Sequence, residues 1–284
     1  MRPTPAIRRT IVLVLDGLRP DAIDAFELPH LQRLRRRSAS TMSATTVAPS
    51  VTWPAMTSLL TGVSPQTHGI ICDHPHLPRP RAPLTPLPRL LSDAGLPTSA
   101  FMAEVPLIYR GLATRIARRL GFAEARFAGK SAPEILFTAR QTLERQRRGF
   151  ILLHWPDADR AGHEYGWMSA EYGIAARRMD AAAGLLASLT DAVNDPETLL
   201  IMCADHGGGG VVHNNHDSAH PLDRTIPVML LGGRVSSTEL EDSVGLLDIP
   251  ATVLWALGVA VPSSFTGRPL DAAFEVREPA GAVA

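Results

Sequence analysis

The amino-acid sequence predicts an α/β protein built as a three-layer αβα sandwich, with a mostly parallel central sheet. Two observations predict this fold. Short apolar runs rich in β-branched residues alternate with helical segments along the chain, as in parallel sheets buried on both faces. Several of these runs also end directly in acidic or imidazole side chains, at the position where open α/β sheets form their sites.

The predicted strands are short apolar stretches, and the predicted helices between them are longer and amphipathic or carry helix stop signals. The strands cover residues 10–15, 40–47, 98–102, 150–153, 198–204 and 226–231. The helices cover residues 28–37, 54–60, 87–94, 109–120, 132–147, 169–192 and 246–257. Residues 73–88 are rich in proline and histidine and predict a loop. Because no repeat or linker divides the chain, we expect a single domain over residues 1–284, with a loosely held tail at 271–284.

The composition is that of a soluble globular protein. Of the 284 residues, 45% are hydrophobic and 20% charged, and the formal net charge is zero, so there is no basic excess for binding a nucleic acid polymer. The two cysteines, Cys72 and Cys203, suggest no disulfide framework. No apolar run approaches the ~18–20 residues of a membrane span. We therefore expect a cytoplasmic protein without membrane contacts, and the oligomeric state stays open.

Thr52 lies between Pro49 and Pro54, at the start of a predicted helix. Two interpretations apply to it. Threonine is a preferred helix cap, which is the more common role for a lone threonine at such a position. The free N–H groups of a helix N-terminus also attract phosphate and sulfate groups, so Thr52 is a candidate nucleophile, and the other polar residues of the chain favour that role.

Those residues follow three of the predicted strands. They are Asp16, Asp159 with His163, Asp205 with His206, and the nearby His216. Three carboxylates and three imidazoles are the ligands that a pair of divalent cations requires, and oxygen and nitrogen donors without thiolate suit Zn²⁺, with Mn²⁺ also possible. Two cations ~3.5–4 Å apart clamp both oxygens of a phosphoryl displacement. A metal also activates a threonine hydroxyl, so this set predicts metal-dependent attack on phosphorus rather than a Ser-His-Asp triad.

The order of motifs resembles the alkaline phosphatase superfamily and, within it, the nucleotide pyrophosphatase/phosphodiesterase branch. The motifs are Val-Leu-Asp16-Gly, then Thr52-Trp-Pro followed by Leu-Leu-Thr-Gly-Val-Ser-Pro-Gln-Thr-His-Gly-Ile, then Asp159-Arg-Ala-Gly-His163, then Ala-Asp205-His206-Gly, and finally Thr266-Gly-Arg-Pro-Leu. The match keeps its order over nearly the whole chain. It implies an alkaline-phosphatase-like fold and a metal-dependent hydrolase of small phosphate esters, with phosphodiesterase or nucleotide pyrophosphatase activity.

The resemblance also implies a role for each residue. One cation is held by three side chains, Asp159, His163 and His216. The other is held by Asp16, Asp205 and His206, with the Thr52 hydroxyl directed towards it. The implied reaction has two steps, because Thr52 first attacks phosphorus and water then hydrolyses the phosphothreonine.

Two positions leave alternatives. Counting forward from Asp205 favours His213 as the third ligand of the first cation, whereas counting back from the strand start at residue 225 favours His216. Asp157 competes less well with Asp159, because only Asp159 has the Asp-x-x-Gly-His spacing.

Candidate substrate contacts come from three positions. Where phosphodiesterases of the branch often carry an asparagine that contacts the phosphoryl group, this chain has Asp73. A carboxylate there repels a phosphate anion. Either Asp73 is therefore not the residue that corresponds to that asparagine, or the substrate differs from the substrates of those phosphodiesterases. Tyr109 and Trp155 are candidates for stacking on a base or aryl leaving group, although packing is the more common role for such side chains.

Other functions use the same residues. Phosphomonoester or phosphonate hydrolysis needs no change in the site. A sulfatase is disfavoured, because sulfatases of the superfamily require Cys or Ser followed by Pro and Arg, and the residues at 52–56 are Thr-Trp-Pro-Ala-Met. A mutase is disfavoured because the chain lacks the extra domain that shields the intermediate. A non-catalytic metal-binding protein would keep its role after Thr52→Ala.

Overall fold

The computed structural model describes residues 7–73, 83–232, 234–241 and 243–274. Within these residues one sheet of eight strands forms the centre of the molecule, in the order β4-β3-β5-β1-β6-β7-β2-β8. The strands are β1 (Arg9–Leu15), β2 (Ala39–Thr45), β3 (Thr98–Met102), β4 (Glu124–Phe127), β5 (Gly149–Trp155), β6 (Thr198–Cys203), β7 (Thr225–Gly232) and β8 (Thr238–Glu239).

The strands β4, β3, β5, β1 and β6, which follow one another across the sheet, run parallel to one another. Strand β7 is antiparallel to both β6 and β2, and β8 is parallel to β2. This confirms the predicted mostly parallel sheet. Every residue of β1, β5 and β6 is buried, which is the reason their sequences are nearly continuous apolar runs.

Helices cover both faces of this sheet, as the predicted three-layer sandwich requires. They are α1 (Ala22–Ala25), α2 (Pro29–Arg35), α3 (Thr52–Thr61), α4 (Pro65–His68), α5 (Leu87–Asp93), α6 (Leu107–Leu120), α7 (Ala132–Arg145), α8 (Asp157–Tyr165), α9 (Ala170–Thr190), α10 (Pro221–Arg224) and α11 (Asp248–Ala256). Helices α2 and α7 pack on α9, whereas α3, α5 and α11 pack on one another. None of the described helices has the length and apolar character needed to cross a bilayer.

The sequence missed some elements and misplaced others. Strand β4 is partly exposed at the edge of the sheet, and its four residues alternate between polar and apolar, so it lacks the apolar run of a buried strand. Residues 157–165, for which no helix was predicted, form α8. Most of the predicted loop at 73–88 lies outside the described residues, as does the tail from residue 275.

The start of the tail corrects the expectation of a loosely held segment. Residues 271–273 form a 3₁₀ turn. Phe274 is buried, and its ring lies 4.9 Å from that of Trp255. This part of the tail is therefore packed against α11, because the burial of an aromatic ring stabilises its position.

The topology places the predicted ligands at one edge of the sheet. Strands β5, β1 and β6 are adjacent and parallel, so their carboxyl ends meet. Gly17 follows β1 with a φ of +68°, and a Cβ there would lie 2.8 Å from the Cα of Asp159 at the start of α8. A glycine is needed at this turn, since it lets the ends of β1 and β5 approach closely.

Candidate metal centre

Three carboxylates, of which Asp16 and Asp205 are buried and Asp159 is partly exposed, surround one imidazole nitrogen at the carboxyl edge of the sheet. Nε2 of His206 lies 3.3 Å from Oδ1 of Asp16, 3.6 Å from Oδ2 of Asp205 and 3.9 Å from Oδ1 of Asp159. Asp205 and His206 are wholly inaccessible to solvent. The residues expected to hold the second cation therefore lie together.

The residues expected to hold the first cation also converge. Oδ1 of Asp159 lies 3.4 Å from Nε2 of His163 and 3.6 Å from Nε2 of His216, and these two nitrogens are 3.0 Å apart. Asp159 and His163 are four residues apart on α8, so they project from the same face of the helix. The rings of His206 and His216 stack with centroids 3.8 Å apart, which brings the two groups into contact.

Each of these three histidines is oriented by a backbone carbonyl. The contacts are His163 Nδ1 to Asn214 O at 3.1 Å, His206 Nδ1 to Gly207 O at 2.9 Å, and His216 Nδ1 to Ser50 O at 2.6 Å. A ring nitrogen this close to a carbonyl oxygen carries the proton and donates it, so Nε2 presents its lone pair to the cluster. Metal-binding histidines are held in this way.

Asp205 is held in place through one of its two oxygens. Its Oδ1 accepts hydrogen bonds from the backbone N–H groups of Gly17 at 3.3 Å and His206 at 3.1 Å. The hydroxyl of Thr46 donates to the Asp205 carbonyl. Oδ2 is left to face the cluster, so this carboxylate is fixed before any cation binds.

Several buried polar atoms at the cluster have no hydrogen-bond partner within the described part of the chain. They are Oδ1 of Asp16, Oδ1 of Asp159, Oδ2 of Asp205 and Nε2 of His154. Each such group costs about 1–3 kcal/mol, and more when it is charged. Divalent cations bound between them would remove that cost, and the oxygen and nitrogen donors suit Zn²⁺ or Mn²⁺. The residues present therefore fit a metal centre.

Electrostatics support the same interpretation. Burial raises the pKa of Asp16 well above its ordinary value, and the nearby Asp205 and Asp159 raise it further. Burial also raises the pKa of Asp159. For His206, burial lowers the pKa, but Asp205 and Asp16 outweigh it and the net pKa is raised well above the ordinary value. The cluster therefore has an excess of negative charge that a cation would neutralise.

The hydroxyl of Thr52 faces this cluster. Thr52 is the first residue of α3, the N-cap position is Val51, and no side chain caps the helix there. Oγ1 of Thr52 lies 3.1 Å from Nε2 of His206. The orientation fits the nucleophile interpretation rather than the cap interpretation.

The structure separates the competing ligand candidates. His216 is in the cluster, whereas His213 is exposed and its ring packs against the backbone of Gly166. The carboxylate of Asp157 accepts a hydrogen bond from the N–H of Ala132 at 2.7 Å, at the start of α7, so its role is to hold that helix.

The three predicted substrate contacts have different outcomes. Asp73 lies beside the cluster, because its Oδ1 accepts a hydrogen bond of 2.8 Å from the N–H of Trp53. Tyr109 lies in the first turn of α6, half exposed, and is not among the side chains that converge. The structure contradicts the expectation that Trp155 stacks on a leaving group, because Trp155 is wholly buried in β5 and its ring is not accessible to a substrate.

Two residues of the site were missed from the sequence. Nε2 of His154 lies 3.4 Å from Oδ2 of Asp16 and 4.0 Å from Oδ2 of Asp205. Its signal was an imidazole within the buried apolar run of β5, where a polar group is unusual. Ser50 binds His216 through its carbonyl and also through Oγ, which donates to the His216 carbonyl at 2.6 Å. No spacing in the sequence marks Ser50.

Comparisons with known proteins agree with this geometry. Residues 10–78 match the family described as type I phosphodiesterase / nucleotide pyrophosphatase, and residues 124–261 match the metalloenzyme superfamily. The two matched segments together hold every residue of the cluster. The chain is thus similar to type I phosphodiesterases and to the metalloenzyme superfamily, in agreement with the resemblance that its motifs indicate.

Individual relatives include a 2,3-bisphosphoglycerate-independent phosphoglycerate mutase from Haloarcula marismortui, 26% identical over 49% of the chain and 27% of the relative. Human ectonucleotide pyrophosphatase/phosphodiesterase family member 1 is 25% identical over 70% of the chain and 23% of the relative. The chain thus spans about a quarter of the length of either. Among solved structures, an inactive alanine-for-threonine variant of murine ectonucleotide pyrophosphatase/phosphodiesterase 5 in complex with AMP has a TM-score of 0.71 at 14% identity, covering 90% of this chain and 96% of that one.

Proposed function

We propose that this protein hydrolyses small phosphodiesters, including nucleotide pyrophosphate bonds, with Thr52 as the nucleophile. The observation that carries the proposal is the 3.1 Å distance between Oγ1 of Thr52 and Nε2 of His206. It places a hydroxyl at the N-terminus of α3 beside the carboxylates and imidazoles that a metal pair needs.

We take the two ligand sets that the resemblance implies. Asp159, His163 and His216 would hold one divalent cation, and Asp16, Asp205 and His206 the other, with Zn²⁺ or Mn²⁺ as the ions. In the structure, Asp159 also groups with His206 and His216, and Asp16 with His154 and Asp205. When bound, such cations lower the pKa of a neighbouring hydroxyl and neutralise charge on phosphoryl oxygens.

The reaction then has two steps. The oxygen of Thr52 attacks phosphorus and forms a threonine–phosphorus ester, while the bond from phosphorus to the leaving oxygen breaks and that oxygen takes up a proton. Water next attacks the same phosphorus. It releases the phosphate monoester and returns the hydroxyl of Thr52, so atoms and charge balance over the cycle.

Charge at the site favours diesters over monoesters. The carboxylate of Asp73 is hydrogen-bonded to the backbone N–H of Trp53, the residue that follows Thr52. A diester carries about one negative charge at neutral pH and a monoester between one and two, since the second pKa of a phosphate ester is about 6. A fixed carboxylate therefore disfavours the monoester more strongly.

The relatives support the same assignment. In the murine structure, a variant with alanine in place of a threonine is inactive and binds AMP. Phosphomonoester and phosphonate hydrolysis are the second candidates, because the same ligands and the same hydroxyl would serve them.

The test is a hydrolysis panel with Zn²⁺ or Mn²⁺, comparing a bis-aryl phosphate, an aryl phosphate, an aryl sulfate and phosphonoacetate. Wild type, Thr52→Ala and Thr52→Ser are assayed side by side. We expect the bis-aryl phosphate to react fastest. We expect Thr52→Ala to lose about a thousandfold or more in kcat and Thr52→Ser to keep part of the rate.

Acid quenching during turnover adds a direct readout. Mass spectrometry should find one phosphoryl adduct on the wild-type peptide that contains Thr52 and none on the Thr52→Ala peptide. Equal rates in wild type and Thr52→Ala would remove Thr52 from the mechanism. A faster reaction with the aryl phosphate or with phosphonoacetate would replace the diester assignment by the second candidate.

A further inference from the structure

Helix α6 exposes a row of large apolar side chains. Ile108, Leu112 and Ile116 are spaced four residues apart, so they line up along one face of the helix. They are 80%, 55% and 48% exposed. Of the fourteen residues of α6, all of which the structure describes, Ala117 alone is buried. Soluble proteins rarely leave such an apolar row uncovered without a binding role.

The same helix is strongly basic. Arg115, Arg118 and Arg119 are exposed, and among the described residues they form no ion pair. Residues 107–120 contain no Asp or Glu. Arg89 lies at the end of the helix, where its guanidinium donates to the carbonyls of residues 118 and 119, and it adds a further positive charge.

We propose that α6 is a docking helix for an anionic lipid surface. A short helix with an apolar row, flanking arginines and no acidic residue lies flat in the headgroup region, with its apolar side chains among the acyl chains and its cations near lipid phosphates. The positive charge of α6 favours an anionic lipid surface over a second copy of the chain, because pairing two copies of α6 would bring two sets of unpaired arginines together.

The position of α6 relates the lipid surface to the metal centre. Helix α6 begins five residues after the end of β3, which is parallel to β5. Its first turn therefore lies at the carboxyl edge of the sheet, the edge that carries the cluster. Docking through α6 would therefore bring the end of the helix that lies nearest this edge to the membrane surface.

A second apolar surface of the molecule is as exposed as that of α6 but does not have its charge. Phe137 on α7 and Leu185 on α9 are 78% and 61% exposed and line a cavity of about 500 Å³. The arginine beside them, Arg140, is paired with Glu144 at 2.9 Å. This second apolar surface lacks the unpaired positive charge of α6, so it serves as the control.

The test is sedimentation of the full chain with vesicles made of phosphatidylcholine alone or of equal parts of phosphatidylcholine and phosphatidylglycerol. We expect the wild type to sediment with the anionic vesicles and to be released at about 1 M salt, where charges are screened within about 3 Å. Leu112→Glu/Ile116→Glu should abolish binding. Arg115→Gln, Arg118→Gln and Arg119→Gln should each reduce partitioning about fivefold. The control Phe137→Glu/Leu185→Glu should bind like the wild type.

Hydrolysis of a soluble aryl phosphate ester and circular dichroism check that each variant is folded. A further measurement uses the wild type, so its result does not depend on whether a variant folds correctly. Hydrogen exchange with and without anionic vesicles should show new protection in α6 and none in α7. The proposal is overturned if the wild type stays in the supernatant with every vesicle. It is also overturned if the α6 variants bind like the wild type, or if those variants instead change the oligomeric state on a sizing column.

Discussion

The carboxylate of Asp73 accepts a hydrogen bond of 2.8 Å from the backbone N–H of Trp53, the residue that follows Thr52. In the resemblance to phosphodiesterases, the N–H groups after Thr52 are expected to face the phosphoryl group, yet this one already has an anionic acceptor. The substrate-contacting role of Asp73 stays a prediction, and this hydrogen bond makes the charge of the residue the property to test.

Asp73→Asn should therefore improve the use of anionic substrates. The amide oxygen keeps the bond to Trp53, and the negative charge is lost. Removing one exposed charge a few ångströms from the phosphoryl group is worth about 1 kcal/mol in water, so we expect kcat/KM for a bis-aryl phosphate to rise about fivefold. The gain should be larger for an aryl phosphate and smaller in high salt. Equal gains for the two substrates at low salt would show that charge is not the cause.

His154→Ala should weaken metal binding without unfolding the protein. Nε2 of His154 lies 3.4 Å from Oδ2 of Asp16, so its ring packs directly against that carboxylate. Loss of such a supporting partner costs about 10–100-fold in metal affinity. Titration against a chromophoric chelator measures it, with His213→Ala as the control, because His213 lies near the site but outside the cluster. Equal affinities for the two variants would show that His154 has no part in the centre.

Removal of metal should expose the repulsion among the carboxylates. Burial, Asp205 and Asp159 together raise the pKa of Asp16, so its ionised form destabilises the metal-free fold at neutral pH. We expect a chelator to lower the Tm of the wild type. We expect Asp16→Asn to raise the free energy of unfolding of the metal-free protein by about 1 kcal/mol, while the variant gains little from added Zn²⁺. Urea titrations with and without chelator test this, and a variant that is less stable than wild type under chelation contradicts it.

His68 should make stability depend on pH. Its Nε2 lies 3.0 Å from Oγ of Ser58, and burial lowers its pKa from 6.5 to about 4. Between these values the unfolded chain binds a proton that the folded chain does not, so the free energy of unfolding falls as pH drops from 6.5 to 4. Over this pH range, the His68 imidazole lowers the free energy of unfolding by about 2–3 kcal/mol.

His68→Gln should remove that part of the pH dependence, although it lowers stability overall through the altered bond to Ser58. Urea unfolding at several pH values, with chelator present throughout, compares the slopes of the two proteins. Parallel slopes for wild type and variant would show that the buried imidazole does not titrate in this range.

The residue types and their order along the chain were enough to predict the sheet, its mostly parallel sense and the residues that converge at its edge. Continuous apolar runs require burial on both faces, and parallel strands bring their carboxyl ends together. Asp16, Asp159 and Asp205 therefore had to meet if the runs preceding them were neighbours. Strand β4 was not predictable in this way, because an edge strand needs no apolar run.

The distances between segments far apart in sequence were decided by packing. The choice of His216 over His213, the burial of Trp155, the bond from Trp53 to Asp73 and the approach of His154 to Asp16 all depend on strand register and loop path. The exposed apolar row of α6 is of the same kind, because a search for a long apolar run does not detect a short helix with one uncovered face. Composition and spacing are properties of the sequence alone, whereas exposure and contacts depend on which segments pack against one another in the folded protein.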